Sequence, residues 1–322
     1  MDFLEKLDKQ KLQRISLIVI AALTFIAAVL LVVIIIASVE GGTDPLNDLN
    51  KPNTGKVNDI EFINKAYGEE DLSNGSLVLV NNEHYYNIPS DIHLVNCYDY
   101  REQNKGISES SYNLIDRSPR LEATAMENAH KMLIALGSDT QNHSIMISSS
   151  FRTYEDQVGR DIESGYSDHH TGLLLSLTVY GGINPYLSHE SNIDLANWLN
   201  TNAHKYGFVV RYPVDKTELT GVSDYTHAYR YVGVAHATYM KEENLCLEEY
   251  IEYLKNETSY KDMLTVKAAD GSSYAIYYTA IEASGSDVKV PVQSPNPDGS
   301  TNYAYTVSGT NEGGIVITIK LK

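Results

Sequence analysis

The sequence predicts an α+β fold held outside a membrane by a single helix. Three observations carry that expectation: one long apolar run near the start, an uneven succession of helical and strand-like patterns, and a β-rich composition after Lys261. A doubly wound sheet would show strands and helices in regular alternation, which this chain lacks. Its 322 residues suffice for one sizeable domain with appendages.

Residues 15–37 are apolar apart from Ser16 and Thr24. At 1.5 Å per residue they would span roughly 34 Å, against a hydrocarbon core of about 30 Å. A cleavable leader has a shorter apolar region ended by a small-residue site. Ala37-Ser38 offers such a site, but the length of the run favours an uncleaved transmembrane helix. Lys6, Lys9, Lys11 and Arg14 precede it, and no Lys or Arg follows before Lys51. Basic flanks stay in the cytoplasm. Residues 1–14 are therefore expected inside, and everything beyond the anchor outside the cell membrane, facing a bacterial wall. Residues 38–60, polar and turn-rich through 41–58, read as a linker.

The main domain is expected over residues 61–262. Leu77-Val78-Leu79-Val80 before Asn81-Asn82 reads as a short buried strand ending in a turn. In residues 121–136, Ala125, Ala129, Met132 and Leu133 keep helical spacing, which predicts an amphipathic helix. Residues 144–148 hold the apolar run of a central strand. Residues 193–206 form a second helix with Leu195, Trp198, Leu199 and Ala203 on one side, and residues 207–213 a strand closed by Pro213. A third helix covers residues 245–254, starting near Asn244. Residues 263–322, with β-rich stretches at 273–279 and 314–321, form a C-terminal appendage, either a separate lobe or strands laid on the main domain.

The net charge of −17 argues against nucleic acid, whose affinity rests on Lys and Arg meeting phosphates. Cys97 and Cys246 lack metal-binding spacing. Two such isolated residues are more often buried and free than bridged, although the expected compartment permits a disulfide. Twenty-four tyrosines against five Phe and one Trp suit sugar or peptide contact, but equally an ordinary Tyr-rich outer surface.

Four motifs carry chemistry. Ser149-Ser150-Phe151-Arg152-Thr153-Tyr154-Glu155-Asp156-Gln157 is the first, and Ser167-Asp168-His169-His170-Thr171-Gly172-Leu173-Leu174-Leu175-Ser176 the second. The third joins Asn202-Ala203-His204-Lys205-Tyr206-Gly207-Phe208 to Arg211-Tyr212-Pro213. The fourth is Arg230-Tyr231-Val232-Gly233-Val234-Ala235-His236-Ala237. Together, over about residues 75–255, they resemble the VanY-like D-alanyl-D-alanine carboxypeptidases. These are zinc peptidases of the wider lysostaphin, D-Ala-D-Ala peptidase and Hedgehog superfamily. The resemblance implies a small antiparallel sheet flanked by helices, and a role in peptidoglycan.

A catalytic zinc needs three protein ligands, an open position for water and a carboxylate base. In the family these are His, Asp and His, with Glu as base in Glu-x-x-His. The resemblance places the first ligand on His169, the second on Ser176, the base on Tyr225 and the third ligand on Ala228. One ligand position of three is retained and no base. A phenol with pKa about 10 is a poor base near neutral pH. Asp224 and His227 repeat the acid-x-x-His spacing one residue earlier, but in a strand a shift of one turns side chains to the other face. His170 and His236 are expected to make ordinary hydrogen bonds. Arg152 matches the family Arg that pairs with substrate, and a guanidinium grips a carboxylate through two hydrogen bonds. Gln157 and Ser149 match its neighbours, with support of the loop as the plainer role. Only nine residues separate Gln157 from Ser167, which should remove part of one cleft wall.

The leading expectation is a non-catalytic, membrane-anchored homologue with no cofactor, binding peptidoglycan stem peptide or a cell-envelope protein. The alternatives are a divergent D,D-carboxypeptidase holding Zn through substituted ligands such as His169, His227 and Asp224, and a structural interaction domain whose cleft is filled.

Overall fold

The computed structural model describes residues 54–55, 60–104, 112–182, 184–223, 225, 227–293 and 303–321. The expected membrane helix, most of the linker and Asp224 lie outside these residues. Among the described residues no helix is long and apolar enough to cross a membrane.

A five-stranded sheet forms one half of the unit spanning residues 53–322. Its order is β4 (Asn113–Leu114), β6 (Ile145–Ser149), β7 (Leu174–Val179), β9 (Ala228–Tyr231), β8 (Phe208–Val210). All neighbours are antiparallel except β4 and β6, so the expected antiparallel sheet carries one short parallel edge. β7 lies in the middle and is buried almost throughout, which suits its run of leucines. Helix α2 (Ala123–Thr140) packs on this sheet, with α1 (Cys97–Asn104) and α3 (Ile193–Asn202) alongside. Glu122 caps α2 by accepting from the Ala125 amide at 3.0 Å. Its Met126, Ala129, Met132, Leu133 and Leu136, spaced by three or four, meet Ile147, Leu175 and Leu177 in the core. The short strands β3 (Leu94–Asn96) and β5 (Arg120–Glu122) pair with each other beside it.

The C-terminal strands dock on the main body rather than forming a lobe of their own. β10 (Met263–Lys267), β11 (Ser273–Ala280), β13 (Tyr305–Gly309) and β14 (Gly314–Lys320) form a second antiparallel sheet. Alternation divides its residues. Ile276, Tyr278 and Val316 meet helices α4 (Val234–Glu242) and α5 (Leu247–Glu257), the second of which is the third helix expected from the sequence. Ala275, Tyr277, Ile315, Ile317 and Ile319 meet Val288 and Val290 on the opposite face. Those two valines belong to β12 (Ser286–Pro291), which pairs with β2 (Phe62–Tyr67). Thr54–Gly55, inside the expected linker, forms β1 against β10. The packing thus joins residues before 68 to the C-terminal strands, across the boundaries expected at 61 and 263. Cys97 and Cys246 are both free and buried.

Leu77 to Val80 differs from expectation. The segment is buried, but it joins no ladder; only Asn81 and His84 form an isolated bridge after it. Alternate carbonyls along it are taken by two arginines, and Leu79 O accepts from Asn311 Nδ2 at 3.0 Å. Arg230 Nη2 donates to Ser76 O and Val78 O, each at 3.0 Å, and Arg211 Nη2 donates to Val80 O at 3.2 Å. Both guanidinia also converge on Asp168: Arg230 Nη1 reaches Oδ1 at 2.6 Å and Arg211 Nε reaches Oδ2 at 2.5 Å. Glu248, at the start of α5, takes Arg211 Nη1 and Nη2 at 3.0 and 2.8 Å. The Asp168, Arg211 and Arg230 side chains are fully buried, whereas Glu248 keeps 13% exposure. Burial works to lower the Arg211 pKa, but Glu248 and Asp168 outweigh it and hold the guanidinium charged.

Removing one partner of a buried ion pair strands the other, typically at about 3–5 kcal/mol. Asp168→Asn should lose stability on that scale in urea unfolding, because it leaves two buried guanidinia short of charge. Glu248→Gln should lose less, since water reaches that side. Separately, His236 joins α4 to Tyr250 Oη at 2.8 Å and Thr318 Oγ1 at 3.0 Å. Burial lowers its pKa from the ordinary 6.5 to about 3. The unfolded chain therefore binds the proton more readily. The stabilisation from a neutral His236 is complete above about pH 6.5 and is lost progressively as pH falls toward 3. Urea midpoints measured between pH 7 and 5 should fall, and His236→Gln should flatten that slope.

Candidate functional site

Asp168 is the first residue of a 3₁₀ turn, Asp168–Thr171, that presents His169. Gly172 ends the turn at φ 70°, where a Cβ would come within 2.8 Å of the Leu94 side chain. Glycine is what allows the chain to swing from the turn into β7. His169 Nδ1 donates to the Ser150 carbonyl at 2.6 Å, a partner that can only accept. Burial, followed by the charge of Arg152, holds this imidazole well below its ordinary pKa range. His169 is therefore neutral, with its lone pair on Nε2, a buried atom that meets no hydrogen-bond partner among the described residues.

The sheet sets the positions around it. Ser149 pairs with Ser176, and Ser176 pairs with Ala228, so β6, β7 and β9 carry these three residues in one row. Tyr225 lies in the turn before β9, closed by Ala228 N donating to Tyr225 O at 3.2 Å. Its phenol stands 3.4 Å from Ser176 Oγ. His227 O accepts from Leu177 N at 2.9 Å, so the β7–β9 register continues to this residue. The His227 ring lies 4.3 Å from that of Tyr225, centroid to centroid. Asp224 falls outside the described residues.

Arg152 reaches the same place from the loop after β6. Its Nη2 donates to Ser149 Oγ at 2.7 Å and its Nη1 to Gln157 Oε1 at 3.0 Å. Burial lowers its pKa, while the charge of and a hydrogen bond to Tyr225 act in the opposite sense. The side chain is half-buried and keeps donor capacity beyond these partners. Gln157 is fully buried and used at both ends, for its Nε2 donates to Ile162 O at 2.7 Å. It braces Arg152 and folds the nine-residue connection back on itself. His170 does similar work: Nδ1 donates to Arg152 O at 2.8 Å, and Nε2 accepts from Gly165 N at 3.0 Å.

The structure therefore brings Ser149, Arg152, Gln157, His169, Ser176, Tyr225 and Ala228 to one region. The zinc that the resemblance implies does not fit them. His169 supplies one imidazole lone pair, but the positions beside it offer a Ser hydroxyl, a phenol and a methyl group. None is a good zinc ligand at neutral pH. Among the described residues, no three His, Cys, Asp or Glu side chains come together as a metal-binding group.

Sequence reasoning missed Asp168, Arg211, Arg230, Glu248 and Ser150, which position this region without belonging to its inherited chemistry. A signal existed. Arg211 and Arg230 stand within strand-like apolar stretches, where an unpaired charge is costly.

The family model for VanY, D-alanyl-D-alanine carboxypeptidase, matches residues 161–234. A D-alanyl-D-alanine carboxypeptidase of Enterococcus faecium is 30% identical over 266 residues, covering 79% of this chain and 78% of the relative. A second, from Enterococcus faecalis, is 41% identical over 87 residues, 27% of this chain and 30% of that protein. Among solved structures, the vancomycin resistance D,D-dipeptidase VanXYg in complex with a D-Ala-D-Ala phosphinate analog superposes with a TM-score of 0.64 at 23% identity. That likeness covers 81% of this chain and 99% of the other, so the fold it shares takes in C-terminal strands as well. With a relative matched over most of both chains, the protein belongs to the VanY-like D-alanyl-D-alanine carboxypeptidase family.

Proposed function

We propose that this chain is a non-catalytic member of its family that binds peptidoglycan stem peptide in the remnant of the cleft. In this reading, residues 15–37 anchor it in the cell membrane with the described domain outside. The observation that carries the proposal is an asymmetry in the site. On the metal side, Ser176, Tyr225 and Ala228 stand at the positions around the His169 imidazole, and no metal-binding group forms there among the described residues. On the binding side, Arg152 remains charged, half-exposed and cross-braced by Ser149 and Gln157. A guanidinium held this way loses little freedom when it takes a peptide carboxylate. Binding therefore outlasts hydrolysis, which would need an activated water that these residues cannot supply.

Titration of the full chain with a stem pentapeptide ending in D-Ala-D-Ala should show saturable binding without release of D-alanine. Arg152→Ala should weaken that binding by about tenfold or more, the worth of a charge-assisted hydrogen bond. Metal analysis should find well under one zinc per chain. Chelator-sensitive release of D-alanine would establish the divergent-enzyme reading instead, and an absence of peptide binding would establish a filled cleft. A gain-of-site variant tests the same geometry from the other side. Ser176→Asp combined with Ala228→His places two ligand types on paired strand positions beside the neutral His169. Equilibrium dialysis should then show about one bound zinc per chain.

A further inference from the structure

A second groove, of about 410 Å³, lies between α3, the edge strand β8 and the end of α4. None of the residues of the cleft described above lines it, so any role it has is independent of the stem-peptide reading. Its floor is apolar, built from Leu199, Phe208, Tyr229 and Met240 among others. Its polar content has two parts. Asn197, Asn200 and Asn244 contribute amides, while Lys241 brings a fixed charge and His204 an imidazole. Among the described residues no Asp or Glu lines the groove, although the chain carries 42 of them against 25 Lys and Arg.

Two groups here are unused. His204 Nδ1 is buried and meets no hydrogen-bond partner among the described residues. Burial, followed by the charges of Lys205 and Lys241, lowers the His204 pKa, so the ring is neutral and can offer a ring N–H. The other unused group is backbone. β8 is the outermost strand of its sheet. Arg211 N donates to Ala228 O at 2.9 Å and Val232 N to Gly207 O at 2.8 Å, which fixes residues 207, 209 and 211 as those bonded inward to β9. Val210, at the alternate position, turns its N–H and C=O toward the open edge, and it is half-buried in the groove wall.

We infer that this groove docks an extended polypeptide segment, lying along β8 at Val210, that carries one acidic side chain directed to Lys241 and His204. The chemistry selects this occupant. Outward backbone groups and the carboxamides of Asn197 and Asn200 match peptide groups and would be wasted on an alkyl chain, whereas the Asn244 amide donates to Asp215 Oδ2 at 3.3 Å. An acid-free lining with an exposed Lys241 complements a carboxylate. A second copy of this chain is a poor occupant: two bodies of net charge −17 repel, and a walled groove admits a strand more readily than a sheet edge.

The test uses the full chain and two acetylated, amidated, fluorescently labelled probes, Thr-Ile-Thr-Glu-Thr-Ile-Thr and its Gln counterpart. Anisotropy should show the Glu probe binding about tenfold more tightly than the Gln probe, a preference weakened by salt. Lys241→Glu, a change at an exposed position, should abolish the preference. Arg152→Ala should leave it intact, which separates failure here from failure at the cleft. Amide shifts on binding should centre on Val210 and His204. Equal binding of the two probes, no binding of either, a preference lost in Arg152→Ala but kept in Lys241→Glu, or a dimer that Lys241→Glu dissolves would each overturn the proposal.

Discussion

Two guanidinia on one buried carboxylate hold this molecule together at its centre. Asp168 accepts from Arg211 and Arg230, and those arginines spend their remaining donors on carbonyls of Ser76, Val78 and Val80 and on Glu248. Five separate stretches of chain meet there. A segment that joins no sheet can be buried only if its polar groups find partners elsewhere. The arginines take the carbonyls of Ser76, Val78 and Val80, and Ser308, Thr310 and Asn311 pair the Leu77 N–H and the Leu79 N–H and C=O, which is why residues 76–80 can be buried without joining a ladder. The same carboxylate opens the turn that presents His169, so the site inherits its position from the charge network.

That dependence explains what gives the site its shape. In many metal centres the ion itself organises the ligands. Here the organisation comes from protein groups: Ser150 fixes the His169 tautomer, His170 and Gln157 pin the loop bearing Arg152, and the strand register aligns Ser149, Ser176 and Ala228. Tyr225 joins this scaffold through contacts with Ser176 on one side and the rings of Tyr212 and His227 on the other.

The C-terminal strands add a second constraint. Their sheet has no solvent-facing side over its central strands: one face meets α4 and α5 and the other meets β2 and β12. β11 and β14 accordingly read as nearly continuous apolar runs, as a sheet covered on both faces must. His236, bonded to Tyr250 and Thr318, seals the junction between this sheet and the helices.

Local pattern was enough for much of this. The helical spacing of Ala125, Ala129, Met132 and Leu133, the apolar strand at residues 145–147, and the strand before Pro213 all lie where the sequence places them, because periodicity and proline act over a few residues. The motif residues also announced the family, since that is a matter of residue identity. Long-range pairing lay beyond it. No local signal says that residues 62–67 bond to 286–291, or that arginines take alternate carbonyls of residues 76–80. Each of those depends on which distant group arrives beside a backbone donor or acceptor, and only the folded chain decides that.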